Sequence, residues 1–402
     1  MRVAAQRAWV PVAPSARGRA ARRRISRRPA VAAESETVAE ARRQMEICNA
    51  CRYCEGYCAV FPAMAMRRSF AEADLTHLAN LCHGCKGCYH ACQYAPPHPF
   101  GINIPATFAE LRQESYAEHA WPKPMGRAFE RNGTLVTLAA AFGIAITLIL
   151  VAALQDPAVL YSAQTGVGAF FRIIPYWLMV GLATLTFGYG VFAMAMGARS
   201  YWRATGGMGG AFAPAPAAEA AVDILTLRNL GGGGHGCNDL DEGFSQRRRH
   251  FHQALLYGFL LCFAATSTGA IYHHVFGWKS PHAFFSLPVQ FGTWGGVLMM
   301  LGAAGLMHTK VITDPGPVSR KVLGGEFAML ALLFLIAATG LLLLAVRHTG
   351  AMGVMLAIHL GLVFAFFLLM PYSKMVHGVY RGIALLRNAR EKRSAKPAPA
   401  AG

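Results

Sequence analysis

Charge is scarce in this 402-residue chain. Only 14% of its residues are Asp, Glu, Lys or Arg, against roughly 25% in an ordinary soluble domain. A water-solvated globule of this length is therefore excluded, and 54% hydrophobic residues make lipid part of the solvent. Acids are the scarcest of all: residues 1–33 hold nine Arg and none. Half of the net charge of +18 thus sits in one tail, not in the patterned surface a nucleic-acid reader needs, so nucleic acid is not an expected partner. The tail also lacks the apolar run of a secretory signal and reads as a disordered basic extension. A dinucleotide site is missing too. Residues 231–236 satisfy G-x-G-x-x-G by letter, but no amphipathic helix follows and no acid is suitably placed about 20 residues on.

Present instead are six apolar runs, at 133–154, 173–197, 254–276, 289–309, 325–346 and 352–373. Each has about the 20 residues that a helix needs to cross a bilayer core. Basic residues fall unevenly between them. The connections 155–172, 277–288 and 347–351 carry one each (Arg172, Lys279, Arg347), whereas the alternate side carries Lys123, Arg127, Arg131, Arg199, Arg203, Arg247–Arg249, Lys310, Arg320 and the tail after Lys374. By the positive-inside rule both termini face the cytoplasm of an inner-membrane protein, together with the polar module before the first run. The expected architecture is all-α. A basic tail (1–35) precedes a ferredoxin-like module (36–125), then a six-span bundle (126–380) with a Gly-rich cytoplasmic loop (198–251), then a basic tail (381–402) lying on the anionic inner surface.

Eight of the ten cysteines form two copies of one pattern. Cys48, Cys51, Cys54 and Cys58 are spaced x2, x2, x3, and Cys82, Cys85, Cys88 and Cys92 repeat that spacing. Two-residue spacers let a loop wrap three corners of an iron–sulfur cube, while the fourth cysteine serves the neighbouring cube. The expected sets are Cys48, Cys51, Cys54 with Cys92, and Cys82, Cys85, Cys88 with Cys58, holding two [4Fe–4S] clusters. Structural zinc prefers separated C-x2-C pairs, and disulfides do not suit the cytoplasmic side. The 23 residues between the copies are rich in Ala, Leu and Arg, so the module reads as an α-helical ferredoxin. His83 and His90 tune or pack, Cys237 fills a loop and Cys262 packs.

Histidines inside spans are functional candidates. His359 and His377 are eighteen residues apart, five turns of one helix, which sets both rings on one face roughly 27 Å apart. That suits axial ligation of two stacked b-type haems. The third span supplies partners: His252 is expected opposite His377, and His273 opposite His359, with His308 in reserve. His250, His274, His282 and His348 are read as headgroup contacts.

The cysteine clusters, 231-GGGGHGCND, 255-LLYGFLLCFAATSTGAIYHH and 356-LAIHLGLVFAFFLLMPYSKMVHGVYR resemble the tricarballylate/citrate utilisation protein B family over about residues 40–392. The segment from His359 to His377 is also similar to the haem-bearing last helix of respiratory nitrate reductase gamma subunits, where the two positions match the haem-ligating pair. The family resemblance implies a protein partner, an FAD-dependent dehydrogenase that oxidises tricarballylate to cis-aconitate. The expected function is an electron-transfer subunit that moves electrons from that flavin through two [4Fe–4S] clusters and haem to membrane quinone. The quinone is expected to dock near His273, His274 and Arg347. The alternatives are a quinol-oxidising subunit that feeds a cytoplasmic reductase, and a redox-sensing transporter.

Overall fold

The computed structural model describes residues 34–206, 214–231 and 235–395. The basic extension (1–33), most of 206-GGMGG and the middle of the 231–236 glycine run lie outside the described residues. From Glu36 onward the described chain is helical without a strand, its one ladder contact being an isolated antiparallel bridge between Cys237 and Ser245.

Five helices build the module: α1 (Glu36–Cys51), α2 (Val60–Ala65), α3 (Glu72–Leu81), α4 (Gly87–His90) and α5 (Ile104–His119). Helix α5 starts where the Asn103 side chain accepts from the Ala106 amide at 3.3 Å, with a proline inside the first turn. Both features satisfy or remove amides that a helix start leaves unpaired. The first span is α6 (Asn132–Leu154). Two single turns, α7 (Pro157–Leu160) and α8 (Ala169–Ile173), lead to the second span, α9 (Tyr176–Ala204). After α10 (Pro214–Thr226) come α11 (Arg247–Phe276), α12 (Leu287–Ile312), α13 (Arg320–Val346) and α14 (Met352–Leu369), and then α15 (His377–Ser394). Among the described residues, helices α6, α9, α11, α12, α13 and α14 are the six long and apolar enough to cross a membrane. Large apolar side chains on them, such as Leu138, Phe142, Ile149 and Leu185, are exposed, a surface that hydrocarbon rather than water would cover.

Small residues bring the spans together, as expected where lipid removes the hydrophobic drive between helices. At Gly258 of α11 an added Cβ would lie 2.5 Å from the Met299 amide of α12, and at Gly295 it would lie 2.9 Å from Cys262 Sγ. Cys262 therefore does pack, inside the α11–α12 seam. Gly143 of α6 and Gly361 of α14 make a second close approach, reinforced by Thr147 Oγ1 donating to the Ala357 carbonyl at 2.9 Å.

Two parts of the C-terminal region depart from expectation. The last span does not run unbroken to His377. After α14 come two short 3-10 turns, Met370–Tyr372 and Lys374–Val376, separated by Ser373 in extended conformation. Pro371 lacks the amide a continuing helix requires, and the Ser373 hydroxyl then accepts from the Met375 amide at 3.4 Å. The segment after Arg381 is likewise no surface-lying tail up to Ser394. As α15 it docks on the module, burying Ala384 and Leu385 in the same core as Met45, Leu75, Leu78 and Phe108. Arg67 pairs with Asp74 at 2.8 Å and with Glu391 at 2.9 Å, and Arg387 pairs with Asp74 at 3.2 Å. The module thus shares its core with the last helix of the chain.

Candidate metal centres and the histidine pair

The cysteine loops share an unusual backbone. The residue after the second cysteine of each copy is left-handed: Arg52 at φ 55° and Lys86 at φ 68°. Side chains other than Gly rarely adopt this conformation, at a cost of about 1–3 kcal/mol, and its occurrence at the same step of both copies marks one loop design used twice. The loops also aim amides at sulfur. Gly84 donates to Cys82 Sγ and Tyr94 to Cys92 Sγ, each at 3.4 Å, while Val60 and Phe61 at the start of α2 donate to Cys58.

Proximity sorts the thiols into two sets. Burial, then repulsion from Cys92, Cys54 and Cys51, pushes Cys48 up to about 12. Cys54 is pushed up to about 12 by burial, Cys92 and Cys51. Cys58 is raised by burial, Cys85 and Cys82; Cys88 by burial, Cys85, Cys58 and Cys82, and least by Cys54. The fourth cysteine of each copy therefore stands among the first three of the other. Thiols so reluctant to ionise need a cation to become thiolates. Among the described residues no group of His, Cys, Asp or Glu is placed to hold a single metal ion. This donor set fits iron–sulfur chemistry. Cys82 and Cys85 are buried, whereas Cys51 is exposed beside Tyr53, 67% exposed.

The loop after α10 seals the Cys82 set. The Asn238 amide donates to the Cys85 carbonyl at 2.9 Å. Cys237 is fully buried against Cys85 and Leu230, so it is more than loop filler. Thr313 donates to the Asp239 carbonyl at 2.7 Å and accepts from Lys86.

Of the histidines, His252 on α11 and His377 on α15 face each other with ring centroids 6.1 Å apart and planes 75° apart. His377 Nδ1 lies 2.5 Å from the Lys374 carbonyl. It must donate to that acceptor, which leaves Nε2 as the lone pair a metal would take. Burial, and then Arg381 beside it, holds the His377 imidazole well below its usual range, so the ring is neutral. His252 carries a buried Nδ1 with no hydrogen-bond partner. Two half-buried, facing imidazoles of this kind fit a bis-histidine haem.

His273 and His359 are not brought together. His273 stacks on Tyr176 with centroids 4.1 Å apart, next to His274, whose Nε2 lies 2.7 Å from the Tyr176 hydroxyl. His359 packs against Gly340 of α13 and places Nδ1 3.1 Å from Thr339 Oγ1. The register explains the mismatch. Phe259 of α11 meets Phe366 of α14, so in these antiparallel helices His359 is level with Thr266, roughly 10 Å short of His273. The pair does not fit a bis-histidine haem. His308, the reserve, is exposed, as is His250. His83 is buried with Nδ1 2.8 Å from the Leu81 carbonyl, and His90 lies 3.7 Å from Asp314. His282 packs on Tyr272, and its carbonyl accepts from Arg347 at 2.9 Å. Arg347 Nε also reaches His348, at 3.1 Å.

Between the histidine pair and the Cys82 set lie arginines that the sequence reading counted only as charge or passed over. Arg248 donates to the carbonyls of Gly84 and His83, the latter at 3.2 Å. Arg381 donates to the Cys82 carbonyl at 2.9 Å. Arg112 donates to the carbonyls of Ala79 and Cys82 at 3.0 and 3.1 Å. The legible signal was spacing: Arg248 precedes His252 by four residues and Arg381 follows His377 by four, so each shares a helix face with its histidine.

Comparison with known proteins finds one family along most of the chain. The family described as Citrate utilization protein B matches residues 127–398, and its Fer4-like domain matches residues 41–118. A curated Citrate utilization protein B of Escherichia coli is 44% identical over 371 residues, 92% of this chain and 96% of that protein. The chain belongs to the citrate utilization protein B family. No solved structure matches it. In this member the Fer4-like domain contains both cysteine sets, and the rest of the family match spans the helical bundle and α15.

Proposed function

We propose that this citrate utilization protein B family member is the membrane electron-transfer subunit of a flavoprotein dehydrogenase system. Two [4Fe–4S] clusters occupy the crossed cysteine sets and a b-type haem lies between His252 and His377. Bound there, such centres carry one electron at a time, which matches a flavin that gives up electrons in pairs to a chain of single-electron carriers. One observation carries the reading: the loop of the buried Cys82 set is tied by hydrogen bonds to the residues that flank the histidine pair.

The residues divide the work. The Cys48 set, with exposed Cys51 and Tyr53, is the side a partner protein can approach, and an FAD-dependent, tricarballylate dehydrogenase-like enzyme is the partner proposed. The Cys82 set, sealed by Asn238 and its loop, keeps water from the inner centre. His274 and Tyr176 at the far end of the bundle form a hydrogen-bonded pair able to supply a proton, and membrane quinone as final acceptor is proposed to dock there, near Arg347. His359 is the imidazole at the level between. Charge asymmetry supports a cytoplasmic module in the inner membrane.

The test uses the purified full-length protein. Dithionite should reveal iron–sulfur EPR signals and a b-haem α-band, and a menadione-like quinone should reoxidise both. Failure to detect iron with acid-labile sulfide, or clusters that stay reduced when quinone is added, would overturn the relay.

A further inference from the structure

The junction between module and bundle contains buried positive charge that no carboxylate pairs directly, although Asp239 and Glu326 lie near enough to Arg248 to act on it electrostatically. Arg112, Arg248 and Arg381 are buried or half-buried, their hydrogen bonds go to backbone carbonyls, and among the described residues no carboxylate forms an ion pair with any of them. Lys310 and Lys374 nearby share Glu326, the latter at 2.6 Å, so that acid is already taken. The Nε groups of Arg112 and Arg381 are buried with no acceptor. A buried cation left this way is costly unless something anionic completes it.

Resting on the electron-relay reading, we propose that Arg248 and Arg381 are positioning residues that raise the reduction potential of the cluster held by the Cys82 set. Three observations converge. Both guanidinium groups bond the carbonyls of residues 82–84, within the loop that carries Cys82 and Cys85. Both sit one helical turn from a histidine of the facing pair, so they lie between that pair and the cluster loop. A thiolate-ligated cluster held by that loop is an anion close to both, and each electron it accepts adds a negative charge that fixed neighbouring cations stabilise in a low-dielectric setting. The step they favour moves one electron: the cluster of the Cys48 set is oxidised by one electron, that of the Cys82 set is reduced by one, and no bond or proton changes. By holding the carbonyl oxygens, the arginines also keep the loop in the turn that aims the Gly84 amide at Cys82 Sγ.

An EPR-monitored redox titration of the full-length protein decides the matter. Arg248→Gln and Arg381→Gln, made singly, should each move one cluster to lower potential and leave the other in place, at wild-type iron content. Arg381→Lys, which keeps the charge, should recover most of the shift. Arg393→Gln, an exposed site on α15 whose arginine pairs with Glu219 at 3.1 Å, should move neither. If one Gln variant does not assemble, the other carries the same expectation; if neither does, Arg381→Lys and Arg248→Lys, with potentials near wild type, take their place. Unchanged potentials in assembled Gln variants, equal shifts of both clusters, or a Lys variant as displaced as its Gln counterpart would overturn the proposal. An unmutated protein without any cluster signal would instead overturn the relay reading beneath it.

Discussion

The imidazoles of His252 and His377 approach to 6.1 Å between centroids although a break in the last helix separates His377 from the span that leads to it. The break matters because it frees His377 from the register of α14. Had the helix continued, His377 would share a face with His359; instead, Ser373 re-aims the chain and the Lys374 carbonyl fixes the ring.

Haem content should follow this pairing. His377→Ala and His252→Ala should each abolish the α-band of the haem between them in dithionite-reduced membranes, whereas His273→Ala, on a ring engaged with Tyr176, should leave that band in place. Reduced-minus-oxidised difference spectra of the three variants make the comparison, and a band that survives in both His252→Ala and His377→Ala refutes the assignment.

The crossed cysteine sets carry their own signature. Cys92→Ser should perturb the same EPR signal as Cys48→Ser, and Cys58→Ser the same signal as Cys88→Ser, although each pair spans the two sequence copies. Growth on the partner dehydrogenase's substrate should fail in Cys54→Ser and Cys88→Ser while the isolated dehydrogenase still reduces an artificial dye. Perturbation that groups by copy instead would return each cluster to its own motif.

Much of this was legible in the sequence because the signals are local. Six apolar runs, and cysteines at x2, x2, x3, need only neighbouring residues to be read, and the helices follow the runs. What escaped depends on tertiary partners. Pro371 marks a possible break, but only the Ser373 conformation and the docking of α15 decide where His377 points. Arg381 and Arg248 look like positive-inside charge until the carbonyls of residues 82–84 appear opposite them. The separation of His273 from His359 follows from the α11–α14 register marked by Phe259 against Phe366, and no periodicity in either helix encodes it.

The seam between α11 and α12 gives a stability prediction. A side chain at Gly258 meets the backbone of Met299 and Gly295, which cannot move aside as a flexible side chain would. Gly258→Val should therefore destabilise the bundle by about 1–3 kcal/mol through overpacking, seen as earlier loss of helical signal on heating in detergent. Gly324→Ala, at a glycine whose added Cβ would meet nothing within 4 Å, should be close to neutral.

Acid should loosen the docking of α15. His77 is fully buried, with Nε2 3.8 Å from Glu391, yet burial first, then Arg387 and Arg67, hold its imidazole well below the usual range. The ring is therefore neutral despite that carboxylate, which Arg67 and Arg387 already engage together with Asp74. An unfolded chain takes up this proton near pH 6.5, whereas the folded protein refuses it until lower pH. Stability is thus undiminished above about pH 6.5 and falls as the pH drops below it, by at most about 1.4 kcal/mol per pH unit for one site. Limited proteolysis within 377–394 should accelerate between about pH 6.5 and 5, and His77→Gln, which cannot titrate, should flatten that dependence. An equally steep acid response in His77→Gln would assign it to the carboxylates of the network instead.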